Sequence, residues 1–345
     1  MTSKQAAAVL VASLLAWACS SPEPTPALTD PDAQQAAPTA PYLIVLGTTQ
    51  DAGSPQAGCT KACCADLWTA PDATRRVSSL GLVDPATQQC YLFDATPDLP
   101  RQLRHLSQAA GATTDLPTGI FLTHAHMGHY TGLMHLGREA MGAREVPVYA
   151  MPRMGEFLRT NGPWSQLLAL SNIELRTLQA DSTIQLASVA NKPALSLASP
   201  EPVEGNGTKL AVTPLLVPHR DEFSETVGYR IDGPNKSALF IPDIDKWERW
   251  ELSLEEQLAQ VDYALLDATF YDGDELPGRD MAAIPHPFVV ETMALLDGLP
   301  ARERSKVYFI HLNHTNPLLD AQSPASEVVR AAGYQVARFD LRLGL

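Results

Sequence analysis

Three histidines stand together in the stretch His124-Ala125-His126-Met127-Gly128-His129, which directly follows the apolar run Gly119-Ile-Phe-Leu-Thr123. The apolar run predicts a short buried strand that ends where the histidines begin. Two imidazoles at positions i and i+2 of a loop can both reach one ion, and a third at i+5 opens the following helix. The stretch therefore predicts a metal site at the end of a core strand. Imidazole ligands suit zinc, iron or manganese, so these residues leave the identity of the metal open.

Apolar runs of strand length alternate with helical patterns along the rest of the chain. Many strands in both halves, with helices between them, predict an α/β fold of two packed sheets covered by helices. The predicted strands are 42–46, 78–83, 90–93, 119–123, 146–150, a segment near 184, 210–217, 227–231, 238–241, 263–267, 307–310 and a last one near the end. The predicted helices are 99–110, one from about 155, 254–260, 288–296 and a final one before the last strand.

Composition limits the number of domains and the kind of partner. With 345 residues and 45% hydrophobic content, the chain can bury one large core, so we expect one domain and a tail. The formal charge of -14 would repel a nucleic-acid backbone over most of the surface. A small-molecule substrate is therefore expected rather than nucleic acid, and the oligomeric state stays open.

The N-terminus has the pattern of an export signal. Lys4 precedes an apolar run from Ala6 to Ala18, and Cys19 follows a small residue. This resembles a bacterial lipoprotein signal, 1–19, with a lipid on Cys19 that holds the protein at a membrane facing the periplasm. Residues 20–41 are rich in Pro and Ala and are interpreted as a disordered tether. Plain secretion and a short membrane anchor are the alternatives.

A second cysteine pattern lies in a Gly/Pro-flanked loop. Cys59, Cys63 and Cys64 fall within six residues, and Cys90 follows later in the chain. In an oxidising compartment these four cysteines would suit two disulfides. Three close thiolates also suit a structural zinc with a fourth ligand from elsewhere. The residues themselves leave both interpretations open.

Further potential ligands follow other predicted strands, in the order Asp94, His219, Asp243 and His311. Together with the histidine stretch, this order resembles the metallo-β-lactamase superfamily, whose pattern is HxHxDH after a strand. The resemblance covers 42–345 and implies a single-domain four-layer αββα sandwich. It also implies that His124, His126, His219 and Asp243 hold one ion, and that His129, Asp243 and His311 form a second position. By the same resemblance, Asp94 supports the metal loop without touching the ion.

One position departs from the superfamily pattern. Gly128 stands where the family has Asp, and glycine offers no ligand. We therefore expect the second metal position to be weakened. The expected content is one tightly bound zinc, with iron or manganese as alternatives, and a second ion that is weak or absent.

Within the superfamily, the chain resembles the branch of pyrroloquinoline quinone biosynthesis protein B. The residues that carry this resemblance are the stretch from Leu46 to Gln56, the Cys59/Cys63/Cys64 loop, Ala95-Thr-Pro-Asp98 and Asn313-His-Thr-Asn-Pro317. The resemblance implies a structural zinc on the cysteine loop. A biosynthetic protein of that branch is expected in the cytoplasm, however, and the export signal here departs from that expectation.

The predicted function is hydrolysis of a small ester, lactone, lactam or phosphodiester. A metal-bound water has its pKa lowered toward about 7, which provides a hydroxide nucleophile at neutral pH. Asp243 would orient the ion or accept a proton, and His314 or His286 would donate one to the leaving group. The alternatives are an iron-dependent oxidoreductase, a role in making the quinone cofactor, and a non-catalytic metal-binding lipoprotein.

Overall fold

The chain forms two seven-stranded sheets in the part that the computed structural model describes, residues 38–186 and 209–345. The strands are β1 (Tyr42–Gly47), β2 (Ser79–Asp84), β3 (Gln89–Phe93), β4 (Gly119–Phe121), β5 (Val146–Ala150), β6 (Ile173–Thr177), β7 (Ile184–Leu186), β8 (Leu210–Leu216), β9 (Val227–Asp232), β10 (Ser237–Ile241), β11 (Tyr263–Asp267), β12 (Val307–Ile310), β13 (Gln335–Val336) and β14 (Arg342–Gly344).

Helices cover the outer faces of the sheets. They are α1 (Ala62–Ala65), α2 (Leu99–Ala110), α3 (Met127–Tyr130), α4 (Pro152–Thr160), α5 (Trp164–Ala169), α6 (Leu254–Ala259), α7 (Val289–Leu295), α8 (Ala301–Arg304) and α9 (Pro324–Ala331), with 3-10 turns at Asp66–Trp68, Thr131–Leu136, Trp247–Arg249, Met281–Ala283 and Pro317–Leu319. Local sequence explains α2 well, since Pro100 lies in its first turn and Gly111 ends it with a left-handed φ of 63°.

The direction of the strands determines where the loops meet. The first sheet has the order β14-β1-β2-β3-β4-β5-β6 and the second has β13-β12-β11-β10-β9-β8-β7. Because β2 is antiparallel to both β1 and β3, and β4 is parallel to β3, the strands β1, β3 and β4 run the same way. By the same argument β8, β10, β11 and β12 share one direction in the second sheet. The carboxyl ends of each set therefore lie along one edge of its sheet.

Three layers of apolar side chains hold the sheets and helices together. One core lies between the two sheets and includes Phe93 and Phe121 from the first sheet with Tyr229 and Phe240 from the second. A second core joins the first sheet to α2 and α4, and a third joins the second sheet to α6, α7 and α9. The predicted four-layer αββα sandwich is thereby confirmed.

Most predicted elements are present, and some of them have the predicted bounds. The helix 99–110 and the strands 146–150, 263–267 and 307–310 match the structure residue for residue. The strand β6 was not predicted, because its pattern of one buried and four more accessible residues gives a weak apolar signal. The signal peptide, Cys19 and tether residues 20–37 lie outside the described residues. Among the described helices, none is long and apolar enough to cross a membrane.

Candidate metal centre

Seven loops that follow co-directional strands supply the side chains of the site. From the first sheet come Asp51 after β1, Asp94 after β3 and the histidine stretch after β4. From the second sheet come His219 after β8, Asp243 after β10, Asp267 at the end of β11, and His311 directly after β12. The structure thus brings all six predicted metal ligands to one place.

The first ligand group consists of His124, His126, His219 and Asp243, whose ligand atoms all lie within 4.8 Å of one another. The His124 Nε2 is 2.8 Å from the His126 Nδ1 and 3.5 Å from the Asp243 Oδ2. The side chain of His219 is fully buried, and neither of its ring nitrogens has a hydrogen-bond partner among the described residues. An unpartnered buried imidazole is costly, and a metal ion at this position would satisfy it.

The second group consists of Asp51, His129, Asp243 and His311, also within 4.8 Å of one another. The His129 Nε2 lies 2.9 Å from the Asp243 Oδ2 and 3.0 Å from the Asp51 Oδ1. The Asp51 carboxylate, which comes from another loop, lies beside Gly128 in this group, so the position has a second carboxylate although Gly128 offers none. Asp243 belongs to both groups.

Hydrogen bonds on the far side of the rings orient the histidines toward the two positions. The His129 Nδ1 lies 2.7 Å from the Asp94 Oδ2, and the His311 Nδ1 lies 2.9 Å from the Thr269 hydroxyl. Asp94 also accepts a hydrogen bond of 2.8 Å from the Thr123 backbone amide. Such outer partners fix the ring orientation and tautomer of metal-binding histidines. Asp94 thus lies where the resemblance implied, one step away from the ligand atoms.

The buried carboxylates of the site favour a positive charge between them. Burial favours the neutral ring of His129, but the charges of Asp51 and Asp94 outweigh it and hold its pKa well above the ordinary value. Burial lowers the pKa of His219 to about 4 despite the nearby charge of Asp243. The carboxylates around His129 thus favour its charged ring in spite of burial, and a divalent cation would supply the same positive charge. The donor set of imidazoles and carboxylates fits zinc, manganese or iron.

His286, predicted as a proton donor, lies at the edge of the first group. Its Nδ1 is 2.8 Å from the Asp267 Oδ2 and 3.2 Å from the Asp243 Oδ1. Burial opposes the charged ring, but the charge and hydrogen bond of Asp267 raise the pKa of His286 to about 9. Asp267 also accepts hydrogen bonds from the Ile244 amide and the Thr269 hydroxyl, so its oxygens are already engaged by the protein. Asp267 therefore positions His286.

His314, the other predicted proton donor, has a different neighbourhood from the one we expected. Its ring joins Cys59, Cys63 and Cys64 in a third group whose ligand atoms lie within 4.8 Å of one another. The described cysteines are unpaired, and Cys90 is buried in β3 outside this group. The structure therefore contains no disulfide among the described cysteines, and His314 lies where a fourth ligand of the thiol loop would be.

A cavity of about 720 Å³ opens beside the two groups and carries positively charged side chains. His286 and His314 both line it, as do residues of the cysteine loop. Its charged lining residues are Lys61, Arg220, Arg279 and Asp280. The charged residues of the lining therefore have a net positive charge, whereas the whole chain has a net charge of -14.

Sequence reasoning missed Asp51, Asp267 and the cations of the cavity. Asp267 ends an apolar strand as Asp94 and Asp243 nearly do, and this shared position could have revealed it. Asp51 was quoted only as part of the Leu46–Gln56 resemblance. Nothing in the local sequence signals that it reaches His129, which is 78 positions away.

The fold and the site define a class: a four-layer αββα sandwich with histidine and carboxylate metal ligands at the strand ends, as in the metallo-β-lactamase superfamily. A sequence model described as the beta-lactamase superfamily domain matches residues 90–312, nearly two thirds of the chain. The chain therefore belongs to that family.

Curated relatives narrow the resemblance to one branch. Coenzyme PQQ synthesis protein B of Klebsiella pneumoniae (strain 342) is 27% identical over 321 residues, which is 86% of this chain and 96% of the relative. The same protein of Methylobacterium sp. (strain 4-46) is 26% identical and aligns over 88% and 99% of the two chains. The predicted resemblance to this branch is confirmed.

Two solved structures share the fold over nearly their whole length. Zn(2+)-bound PqqB from Methylobacterium extorquens has a TM-score of 0.66 at 22% identity and covers 88% of this chain and 100% of its own. A diphosphatase from the PhnP family has a TM-score of 0.55 at 22% identity, covering 88% and 97%. Both comparisons support the fold, and one of these structures contains zinc.

Proposed function

We propose that this protein is a metal-dependent hydrolase of a small anionic ester, with a phosphodiester as the leading candidate. The observation that carries the proposal is the pair of ligand groups that share Asp243 and lie beside a cation-lined cavity. Membership of a superfamily of metal-dependent enzymes and the likeness in fold to a diphosphatase support it.

The residues divide the work by position. Bound divalent ions would supply a water of lowered pKa as nucleophile and would polarise the bond attacked. Asp243, which belongs to both ligand groups, would contribute a ligand to each ion. Asp94 and Thr269 keep the histidine rings in place, so that little reorganisation is needed during the reaction.

His286 is the residue we assign to protonation of the leaving group. Asp267 and Asp243 hold its Nδ1, and the ring lines the cavity in which a substrate would lie. A ring fixed at one nitrogen presents the other nitrogen in a defined direction. His314 is not assigned this role, because its ring lies among the thiols of Cys59, Cys63 and Cys64.

The charge of the cavity selects for an anionic substrate. Lys61, Arg220 and Arg279 line it. On a chain of net charge -14, such a concentration of cations would attract an anion to this opening and orient it there. A neutral lactone or lactam would gain less from these residues, because only a charged group adds the attraction between opposite charges to a hydrogen bond.

The test compares an anionic phosphodiester, bis(p-nitrophenyl) phosphate, with the neutral ester p-nitrophenyl acetate. We expect metal-dependent turnover of the phosphodiester that is lost in His126→Ala. Arg220→Ala should raise KM for the anion roughly 10- to 150-fold, since a charge-assisted hydrogen bond contributes roughly 1.5–3 kcal/mol, and should leave KM for the neutral ester unchanged. Arg138→Ala, at an exposed arginine paired with Glu139, is the matched control. Turnover that survives His126→Ala would refute the proposal.

A second candidate is a role in making a quinone cofactor, with iron in the same ligands. The alignment with coenzyme PQQ synthesis protein B over nearly its full length favours it. Elemental analysis separates the two candidates. Tightly bound iron with oxygen-dependent turnover would support oxidation, whereas zinc or manganese with turnover in the absence of oxygen would support hydrolysis.

We further propose that Cys59, Cys63, Cys64 and His314 hold a structural zinc. Three thiolates and one imidazole form a closed tetrahedral set that leaves no position for substrate. Cys63→Ser should remove one zinc per chain and lower the unfolding temperature. Unchanged zinc content in that variant would contradict the assignment.

The proposed location remains a bacterial membrane, on the side that faces the periplasm, with a lipid on Cys19. The sequence pattern of residues 1–19 is the support for it. Cys19→Ser should move the protein from the membrane fraction to the soluble fraction of cells that express it. Retention of the variant in the membrane fraction would exclude the lipid anchor.

A further inference from the structure

Gly128 is required by the close approach of another loop. A Cβ placed on residue 128 would lie 2.6 Å from the Asp51 Cα and closer still to its Cγ. The backbone of Gly128 has no positive φ, so conformational freedom is not the reason for glycine here. The side chain of Asp51 thus fills the space that a side chain on residue 128 would take.

The Asp51 carboxylate faces the two histidines of the second ligand group. Its Oδ1 lies 3.0 Å from the His129 Nε2 and 3.1 Å from the His311 Nε2. The other nitrogens of these rings are held by Asp94 and Thr269, which leaves Nε2 as the ligand atom of each. The carboxylate oxygen and both ligand nitrogens therefore converge on one position.

The loop that carries Asp51 is anchored to the segment that carries His311. The Gln50 amide donates a hydrogen bond of 2.8 Å to the Leu312 carbonyl, and the Leu312 amide donates one of 2.7 Å to the Thr48 carbonyl. These bonds join the residues just before Asp51 to the residue just after His311, so they keep the Asp51 carboxylate close to the His311 ring. The side chain of Asp51 is 21% exposed, which leaves it reachable by an entering ion.

We propose that Asp51 is a ligand of the second metal ion and replaces the carboxylate that the superfamily places at the position of Gly128. In this chain the carboxylate comes from the loop after β1, and the absence of a side chain on Gly128 leaves space for it. The second position then has four protein side chains that can bind an ion such as zinc, namely Asp51, His129, Asp243 and His311. The chain consequently binds two ions at this centre, whatever reaction they serve.

A ligand exchange between positions 51 and 128 tests this inference. The full-length protein is loaded with zinc, passed over a desalting column, and analysed for metal per chain. Asp51→Ala should contain one ion fewer than the unaltered protein, and Gly128→Asp should also lose ions because its side chain collides with Asp51. The double variant Asp51→Gly/Gly128→Asp should regain the lost ion, since it restores one carboxylate to the same space. Counting against the unaltered protein cancels any zinc on the cysteine loop.

Matched variants separate ligand loss from damage to the loop. Asp51→Asn keeps the size of the side chain and should still weaken the second ion by more than the roughly 10–100-fold typical of an outer partner. Asp72→Ala removes an exposed carboxylate that is paired with Arg75 and should leave the metal content unchanged. Cobalt(II) absorption during titration reports the two positions separately without an activity assay.

Two outcomes would overturn the proposal. One is full metal content and unchanged affinity in both Asp51→Ala and Asp51→Asn. The other is a double variant that folds, by circular dichroism, yet contains no more metal than Asp51→Ala. Neither readout uses substrate, so absence of hydrolysis would count against the proposed function and leave this inference intact.

Discussion

Two strand-end residues of the centre have an uncommon backbone conformation. Asp94 and His311 each have a φ of 66°, in the left-handed region that residues other than glycine seldom adopt. Each follows a buried strand directly and turns its side chain into the centre. Such strain persists only where the surroundings overdetermine it, and the hydrogen bonds of Asp94 to Thr123 and His129 do so here.

Asp94 provides the residue-scale prediction. Asp94→Ala removes the partner of the buried Thr123 amide and of the His129 ring, and we expect it to lower the free energy of unfolding by roughly 3–5 kcal/mol. Asp94→Asn should cost about half as much, because asparagine tolerates a positive φ and still accepts from the amide. Urea unfolding measures both variants. A cost of less than about 0.5 kcal/mol for the alanine variant would contradict this account.

Strands act on the centre by aligning their carboxyl ends. The central strands β3 and β4 reach the site from one sheet, and β10, β11 and β12 reach it from the other. Aromatic rings between the sheets connect the two sets of strands, with the Phe121 ring centred 5.7 Å from that of Tyr229 and the Phe93 ring centred 6.2 Å from that of Phe240. The two strand sets therefore keep their relative position through aromatic packing.

Phe121 in β4 provides the prediction at the scale of elements. Phe121→Ala leaves a cavity in the core between the sheets and should destabilise the protein by about 3–5 kcal/mol. The control is Phe223→Ala at a side chain that is 61% exposed, which should change stability by less than about 0.5 kcal/mol. Chemical unfolding followed by tryptophan fluorescence gives both values. Equal effects of the two variants would show that the stability of the two sheets does not depend on the packing of Phe121.

Metal binding should stabilise the whole molecule, because its ligands come from both sheets. A ligand that binds only the folded state adds about 4 kcal/mol at a thousandfold excess over Kd, which for a large domain corresponds to roughly 5–10 °C in Tm. We expect zinc to raise Tm by this amount and a chelator to reverse the change, as measured by differential scanning fluorimetry. Magnesium, which prefers oxygen ligands, is the control and should have little effect. A Tm that is independent of zinc would argue against ions at these positions.

Local patterns were enough to predict two packed sheets covered by helices and the three histidines of one loop, and the resemblance to the superfamily implied His219, Asp243 and His311. Apolar periodicity marks the strands, and a polar residue just beyond an apolar run marks the functional edge of a sheet. Both signals involve only neighbours in the chain. Because these signals are local, β5, β11 and β12 were predicted with correct bounds. The six predicted ligands also lie together in the structure.

Contacts between distant loops were decided only by the tertiary structure. Asp51 contacts His311, which is 260 positions away in the chain. His314, predicted as a proton donor, lies instead beside the three cysteines of the thiol loop. The histidine stretch and the order of the other predicted ligands along the chain predicted a metal centre and the strands that present it. The number of carboxylates at the second position was decided by the path of one loop, because backbone hydrogen bonds between Gln50 and Leu312 fix that path and leave no trace in the sequence around Gly128.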